Sequence, residues 1–204
     1  MRRLLVLSLL PILSATASAQ IIRGGLRFQE PSVWVSAGIA SVSGFVVTDG
    51  TTGNVWQFGN ATQYTASIEK TMSGGTTLGL QGTTAKVPLN YSGIDADANV
   101  SQLFALLHVA SGRELHSVLE LSAGATVYSN FRARNTGIAL PPTSRDADFT
   151  FAFGYGLGYT FSSSFSIDVI QDLTTALHQR DGLSAGDNSS VRINGTRIVA
   201  RFGL

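Results

Sequence analysis

The chain has 204 residues and a formal net charge of +1, from 14 Lys and Arg against 13 Asp and Glu. Charged residues are 13% of the chain, and because soluble domains have roughly a quarter, this composition argues against an ordinary water-soluble surface. The balanced charge does not suggest a nucleic-acid partner, and since the chain has no cysteine it carries neither disulfides nor the lipidated cysteine of a lipoprotein.

The chain begins with the pattern of a secretory signal peptide. Arg2 and Arg3 form a positive region, the apolar run Leu4–Leu13 follows, and the next small residues end in Ala-x-Ala at Ala19. A membrane-spanning helix needs about 20 apolar residues, so a transmembrane anchor is the weaker alternative for this short run. We expect cleavage after Ala19 and a mature chain that starts at Gln20, with 12 basic and 13 acidic residues.

After the leader, side chains alternate in character with period two, as they do in half-buried strands. The clearest case is Ala147–Phe161, where odd positions are mostly aromatic and even positions are mostly Gly, Ala and Thr. No later stretch is long and apolar enough for a membrane helix, so lipid would be met by strands. We predict eight strands: Ser32–Val42, Val55–Glu69, Thr76–Val87, Ala98–Ala110, Leu115–Phe131, Ala147–Phe161, Phe165–His178 and Val191–Leu204.

The predicted connections alternate in length. Three are short, at 71–75, 111–114 and 162–164, and four are long and polar, at 43–54, 88–97, 132–146 and 179–190. Outer-membrane barrels have short periplasmic turns and longer outer loops. The pattern therefore predicts an all-β fold: an eight-stranded antiparallel up-and-down transmembrane β-barrel over residues 32–204. Residues 1–19 would be the signal peptide and 20–31 a periplasmic lead-in, of which Ile21–Phe28 could pair with another segment.

A soluble barrel or sandwich with its apolar face inward would show the same alternation. Two features favour the membrane arrangement. The second face of Ala147–Phe161 is small and uncharged through its middle, which suits the crowded interior of a narrow barrel. Aromatic side chains, which favour the lipid–water boundary, occupy many positions that the alternation assigns to the outer face. These positions are Trp56, Phe58, Tyr64, Phe149, Tyr159, Phe161, Phe165 and Phe202. In Leu115–Phe131, the alternation places Phe131 on the apolar face with Leu119 and Leu121.

The last two strands carry charges that the alternation directs into the barrel. Asp168 and Asp172 precede the last long loop, and Arg197 and Arg201 follow it. One antiparallel register would pair Asp172 with Arg197 and Asp168 with Arg201, because the residue numbers of both pairs have the same sum. Turning either strand over would place two charges in lipid, each at a cost of roughly 2–4 kcal/mol near the midplane. Glu120, inward on the fifth strand, could reach an arginine across the lumen.

With its leader, eight strands and terminal strand, the chain resembles the small outer-membrane β-barrels of the OmpX-like group. The resemblance is architectural. It implies a lumen plugged by polar side chains and a terminal strand that the barrel-assembly machinery recognises. Members typically end in an aromatic residue. Here residues 196–204 alternate and Phe202 stands two residues from the end, but the last residue is Leu204, which departs from the family pattern.

Some barrels of this size modify lipids with Ser, His and an acid near the outer rim. The three histidines, His108, His116 and His178, lack a Ser-containing active-site motif around them, so interfacial or lumen positions are favoured. The run Gly154-x-Gly156-x-Gly158 imitates a phosphate-binding loop, but because no helix pattern follows it, glycines inside a strand are the better interpretation.

The segment Asp95-x-Asp97-x-Asn99 begins like a calcium-binding loop. Its sixth position is Val100 instead of Gly and its twelfth is Leu106 instead of Glu, so a solvated loop with at most weak divalent binding is expected. We therefore predict no catalytic residue, no cofactor and no metal site.

The sequence favours a non-enzymatic outer-membrane protein whose extracellular loops serve adhesion, defence or envelope integrity, with outer-membrane lipid and the assembly machinery as partners. A channel for small solutes is the alternative, although eight strands leave an interior only wide enough for side chains. A lipid-modifying enzyme is the third possibility.

Overall fold

The structure, a computed structural model, describes residues 31–48, 54–143, 145–178 and 189–204. The predicted signal peptide, its cleavage site and the lead-in up to residue 30 lie outside the described residues. The strand segments, in chain order, are β1 Val33–Val42, β2 Phe45–Thr48, β3 Val55–Phe58, β4 Ala61–Ser73, β5 Thr76–Tyr91, β6 Ile94–Gly112, β7 Leu115–Ala133, β8 Asp146–Ser162, β9 Phe165–His178 and β10 Ser189–Gly203. In the part of the chain that the structure describes, no helix is long and apolar enough to cross a membrane.

These segments form a closed antiparallel barrel of eight strands, as predicted. β2 continues β1 after a break at Ser43 and Gly44, and β4 continues β3 after a break at Gly59 and Asn60, so each of these pairs counts as one barrel strand. β1 pairs with β4 on one side and with β10 on the other, which closes the sheet. Closure through β1 and β10 leaves no open edge over the lower part of the barrel, whereas β2 pairs only with β3 among the described residues.

The three short turns are found where the sequence predicted them, and they lie at the same end of the barrel as both described termini. The predicted long loop at 88–97 is wrong. β5 runs to Tyr91 and β6 starts at Ile94, so only Ser92 and Gly93 connect them. Both residues have positive φ, 47° and 92°, which is the backbone of the tight type I′ hairpin. The wall therefore extends well beyond the loop boundary that the sequence suggested.

Large apolar side chains cover the outside of the barrel over its lower part, the part nearer the termini. We call this surface the belt. Its members include Ile68, Leu80, Leu103, Leu121, Phe153, Tyr155, Leu157, Val169, Ile198 and Phe202, all of them exposed. Exposed apolar surface that encircles a closed barrel is the surface that hydrocarbon, and not water, stabilises.

Above the belt the two faces of the wall exchange character. Along β5 the outer face changes from Leu78 and Leu80 to Thr84, Lys86 and Asn90. The inner face makes the opposite change, because polar inward residues in the lower part of the barrel give way to apolar ones near the top. The buried apolar residues of this upper region, which we call the plug, are Ala40, Val42, Phe45, Val47, Trp56, Phe58, Ala85, Val87, Leu89, Tyr91, Ala96, Ala98, Val100, Tyr128, Phe131, Ala176, Val191 and Ile193.

Three aromatic residues that the alternation assigned to the outer face are buried in the plug instead. Trp56 is 0% exposed, Phe58 is 4% exposed and Phe131 is 1% exposed. For the first two, the break at Gly59 and Asn60 shifts the alternation by one residue, so even positions point inward in β3 and outward in β4. For Phe131, a register shift in the β6–β7 pairing with Asn130 at φ 56° has the same effect.

Candidate functional site

The interior of the barrel is the candidate functional site, and all five sequence-predicted lumen residues face it. They are Glu120 on β7, Asp168 and Asp172 on β9, and Arg197 and Arg201 on β10. Asp168 is 0% exposed, and Glu120, Arg197 and Arg201 are 5–6% exposed. Charges buried to this degree require partners, because an isolated ion in a medium of low polarity is very unfavourable.

Arg197 joins two carboxylates from different strands. Its Nε donates to Asp172 Oδ2 at 2.7 Å, and its Nη2 donates to Glu120 Oε2. The predicted register of this hairpin is wrong by two residues, since Arg197 lies opposite Ile170 and Asp172 opposite Gly195. A shift of two keeps every side chain on the same face, and the long arginine side chain reaches its diagonal neighbour.

Arg201 was predicted to pair with Asp168, but its hydrogen bonds go to Glu69 and His108. Its Nη2 donates to Glu69 Oε2 at 2.5 Å and its Nη1 donates to His108 Nε2 at 2.7 Å. Its Nε lies 4.0 Å from Asp168 Oδ2, an ion pair too long for a hydrogen bond. Asp168 is closer to His116, whose Nε2 lies 3.1 Å from Asp168 Oδ1.

His108 links the two arginines into one network. Since an arginine is always protonated, Nε2 of His108 must accept from Arg201, and its proton must therefore be on Nδ1. That Nδ1 donates to Glu120 Oε1 at 2.8 Å, and Glu120 in turn accepts from Arg197. A continuous chain of charge-assisted hydrogen bonds thus crosses the lower lumen from Glu69 to Asp172.

Sequence reasoning did not find Glu69, and it placed His108 and His116 only as interfacial or lumen histidines. Glu69 also accepts from Ser67 at 2.6 Å and from Thr77. The sequence does hold one sign of it, because Glu69 is odd-numbered, as are the inward residues of β4. No pattern in the sequence showed which carboxylate faces which arginine across the lumen, since that depends on the closed shape of the barrel.

The glycine run of β8 makes room for this network, in agreement with glycines inside a strand and not with a phosphate loop. A Cβ atom on Gly158 would lie 2.1 Å from Asp168 Oδ1 and 2.2 Å from His116 Nε2. A Cβ atom on Gly154 would lie 3.0 Å from Asp172 Oδ1. The small inner face of β8 is therefore what allows the histidine and carboxylates of its neighbours to fill the lumen.

The plug closes the lumen above the charged network. Trp56 packs on Phe131 with ring centroids 4.7 Å apart, and Phe45 stacks on Phe58 at 4.5 Å. Between plug and network, a cavity of about 30 Å³ is lined by polar residues such as Gln63 and Gln102 together with apolar ones such as Phe104. That volume is room for roughly one or two water molecules. The described interior therefore has a charged lower layer, a thin middle layer with several polar side chains, and a mainly apolar upper layer that also holds Asp148 and His178.

The acidic segment at 95–99 is part of β6 above the belt and not a solvated loop, so that expectation is wrong. The Asp97 carboxylate is occupied by cations, with Lys86 Nζ at 3.1 Å and Arg134 Nη2 at 2.9 Å. The hydrogen bond from Arg134 holds the pKa of Asp97 below its ordinary value. A carboxylate shared by two cations is a poor start for a calcium site.

His178 lies inside the plug region, 1% exposed, beside Asp148. Each of the three histidines is thus buried in the interior and held by a carboxylate: His108 by Glu120, His116 by Asp168 and His178 by Asp148.

The fold is similar to that of known outer-membrane barrels. Neisserial surface protein A (NspA) superposes with a TM-score of 0.57 at 12% identity, over 85% of this chain and 97% of that chain. Ail, the attachment invasion locus protein of Yersinia pestis, in complex with the heparin analogue sucrose octasulfate, has a TM-score of 0.46 at 18% identity, over 85% and 99%. The outer membrane protein OprG from Pseudomonas aeruginosa has a TM-score of 0.45 at 12% identity, over 86% and 98%.

No protein-family model matches the chain, and no curated protein matches it significantly. The likeness to NspA bears out the fold expected from the sequence, a small eight-stranded antiparallel β-barrel.

Proposed function

We propose that this protein is a closed, non-conducting and non-enzymatic outer-membrane protein that acts at the cell surface, in adhesion, defence or envelope integrity. The observation that carries the proposal is the filled interior. The plug and the network of Glu69, Glu120 and the two arginines occupy successive levels of the same lumen. A solute would have to displace both an apolar core and a set of buried ion pairs. Breaking the ion pairs alone would cost several kcal/mol.

The upper barrel supports action at the surface. Above the belt the outer face is polar, with Lys86, Asn90, Asp95, Arg132 and Arg192 exposed. The core beneath them is apolar, as in a soluble barrel, so this part of the wall can stand in water. NspA, which shares the fold, is described by its name as a surface protein.

The closed interior is tested by conductance. The refolded barrel, inserted in a planar bilayer at neutral pH, should give no stable unitary current with small monovalent ions. The matched comparison is a plug variant, Trp56→Ala, which removes the largest buried side chain of the plug and leaves the charged network in place. Stable current steps from the unaltered protein would support the channel alternative instead.

Orientation is tested by single-cysteine labelling, which the cysteine-free sequence makes straightforward. Ser92→Cys places a thiol in the β5–β6 turn at the top, and Ser163→Cys places one in the β8–β9 turn at the opposite end. On intact cells, a membrane-impermeant maleimide should label Ser92→Cys and leave Ser163→Cys unlabelled until the cells are opened. The reverse labelling, or equal labelling, would contradict the proposed orientation and location.

The non-enzymatic part of the proposal is supported by the position of the histidines, each buried in the interior and paired with a carboxylate. Such histidines stabilise the barrel and do not face the lipid. The refolded protein should therefore leave phospholipid and lipopolysaccharide acyl chains unchanged when incubated with vesicles that contain both. A new acyl product detected by mass spectrometry would support a lipid-modifying enzyme.

A further inference from the structure

A second group of titratable side chains lies near the top of the barrel, separate from the lumen network. Asp146 and Asp148 are on β8 and His178 ends β9. His178 Nδ1 lies 3.0 Å from both carboxylate oxygens of Asp148 and 3.9 Å from Asp146 Oδ2. One ligand atom from each of the three side chains can be chosen so that all lie within 4.8 Å of one another. Atoms this close can share a single ion.

A fourth polar group is directed at the same place. Tyr128 lies opposite Asp146 in the β7–β8 pairing, and its ring contacts His178 edge-on, with centroids 6.3 Å apart. Its hydroxyl is beside both carboxylates. Tyr128 is 0% exposed, and within the described ranges its hydroxyl makes no hydrogen bond. A buried hydroxyl without a hydrogen-bond partner is unfavourable, so its position beside the carboxylates requires an explanation.

The chemistry of these donors points to a cation. Two carboxylates and one imidazole are the ligand types that Zn²⁺ and related first-row divalent ions take in proteins. A phenol oxygen adds a further donor, or a group to which a metal-bound water could hydrogen-bond. The surroundings are apolar, because the Trp56 ring packs against His178 at 5.6 Å, and a low-polarity site strengthens the attraction between an ion and its ligands.

Access to the group is from the outer end of the barrel. The side chain of Asp146 is 34% exposed, whereas those of Asp148 and His178 are 1% exposed. An ion could therefore arrive at the partly exposed carboxylate and pass to the two buried ligands. This arrangement distinguishes the group from the His116–Asp168 pair, which is equally buried but which, among the described residues, has no second carboxylate close enough to share an ion.

We propose that Asp146, Asp148 and His178 bind one divalent transition-metal ion at the outer end of the barrel, with the Tyr128 hydroxyl beside it. The ion would connect β8 to β9 just where the strands end. Such a link would hold the outer rim in place, which is a role additional to the closed lumen proposed above.

The test is a Zn²⁺ titration of the refolded full barrel after treatment with a chelator, followed by calorimetry and by metal analysis after dialysis. We expect one saturable site per chain. Asp148→Asn and His178→Gln preserve the shapes of the side chains but remove ligands, and each should weaken binding at least about tenfold. His116→Gln is the matched control, because it alters a comparable buried pair outside the group, and it should bind Zn²⁺ as the unaltered protein does.

A measurement on the unaltered protein keeps the test independent of how the variants fold. The chain has three histidines, so their imidazole nitrogen resonances can be followed separately. Zn²⁺ should shift the signals of His178 and leave those of His108 and His116 in place. No saturable binding, binding that both ligand variants retain, or a shift confined to the other histidines would each overturn the proposal and leave His178 and Asp148 as a plain ion pair.

Discussion

Arg197 provides the sharpest test of the charged network, because it is the only described link between Glu120 and Asp172. Arg197→Met keeps most of the side-chain volume and removes the guanidinium. Glu120 would then keep His108 as its partner, and Asp172 would lose its hydrogen-bonded cation. Removing one partner of a buried pair costs about 3–5 kcal/mol, and since the Asp172 side chain is 23% exposed, we expect the lower half of that range.

The assay is equilibrium unfolding of the refolded barrel in urea in a lipid or detergent in which unfolding is reversible. Arg192→Met is the matched control on the same strand, because Arg192 is exposed on the outer face above the belt. Its effect on the free energy of unfolding should stay within about 0.5 kcal/mol. The double variant Glu120→Gln with Arg197→Met should be less destabilised than the sum of the single variants, by about 0.5–3 kcal/mol, because the two side chains share one contact.

Two results would refute this reasoning. If Arg197→Met costs less than about 1 kcal/mol, water or other groups solvate the two carboxylates and the network does not hold the lumen closed. If the effects of Glu120→Gln and Arg197→Met simply add, the two side chains do not interact, and the contact between them is not a feature of the folded barrel.

Three further predictions concern other parts of the barrel. Gly158→Ala should destabilise it by about 1–3 kcal/mol in the same urea assay, because the new methyl group would collide with the Asp168 carboxylate, and an unchanged midpoint would contradict this packing. Phe131→Ala should cost about 3–5 kcal/mol as an emptied core position, whereas a near-zero effect would return Phe131 to the lipid face. The carboxyl of Asp97 should titrate below 3.8 by nuclear magnetic resonance, and Arg134→Ala should raise its midpoint. Because the pKa of Asp97 is lowered in the folded state, its contribution to stability is complete at neutral pH and is lost as the pH falls below about 4. A titration midpoint that Arg134→Ala does not change would count against the hydrogen bond.

The facing of the last two strands could be predicted from the sequence because it follows from local chemistry alone. Asp168, Asp172, Arg197 and Arg201 cannot face lipid, and a side-chain period of two then fixes every other residue of these strands. The register could not be fixed in the same way. A shift by two residues preserves the facing, and the diagonal contact from Arg197 to Asp172 satisfies the charges as well as a direct one does.

The upper barrel is harder to predict because its apolar side chains point inward and its polar ones outward, the opposite of the lower barrel. A period of two was assumed to continue through Val55–Glu69, but the break at Gly59 and Asn60 shifts it by one residue. The Gly59-Asn60 pair is a local sign of a break, but it does not show by itself that the alternation shifts by one residue. The segment 88–97 has the composition of a loop because its outward residues are polar, although Leu89 and Tyr91 continue the inward apolar series of Val87.

The reversal has a physical consequence for how the protein is built. Around the belt, the lipid stabilises the outer apolar face and the ion pairs must satisfy one another inside a narrow lumen. Above it, water solvates the outer face and the plug supplies the stabilisation of a conventional hydrophobic core. The upper wall therefore does not depend on lipid for its shape. Substitution of the outward Arg192 should leave the fold unchanged, because its side chain does not contribute to the plug. The lumen beneath this surface is filled at two levels, by the charged network and by the plug, and burial at both levels stabilises the wall that carries the outer surface.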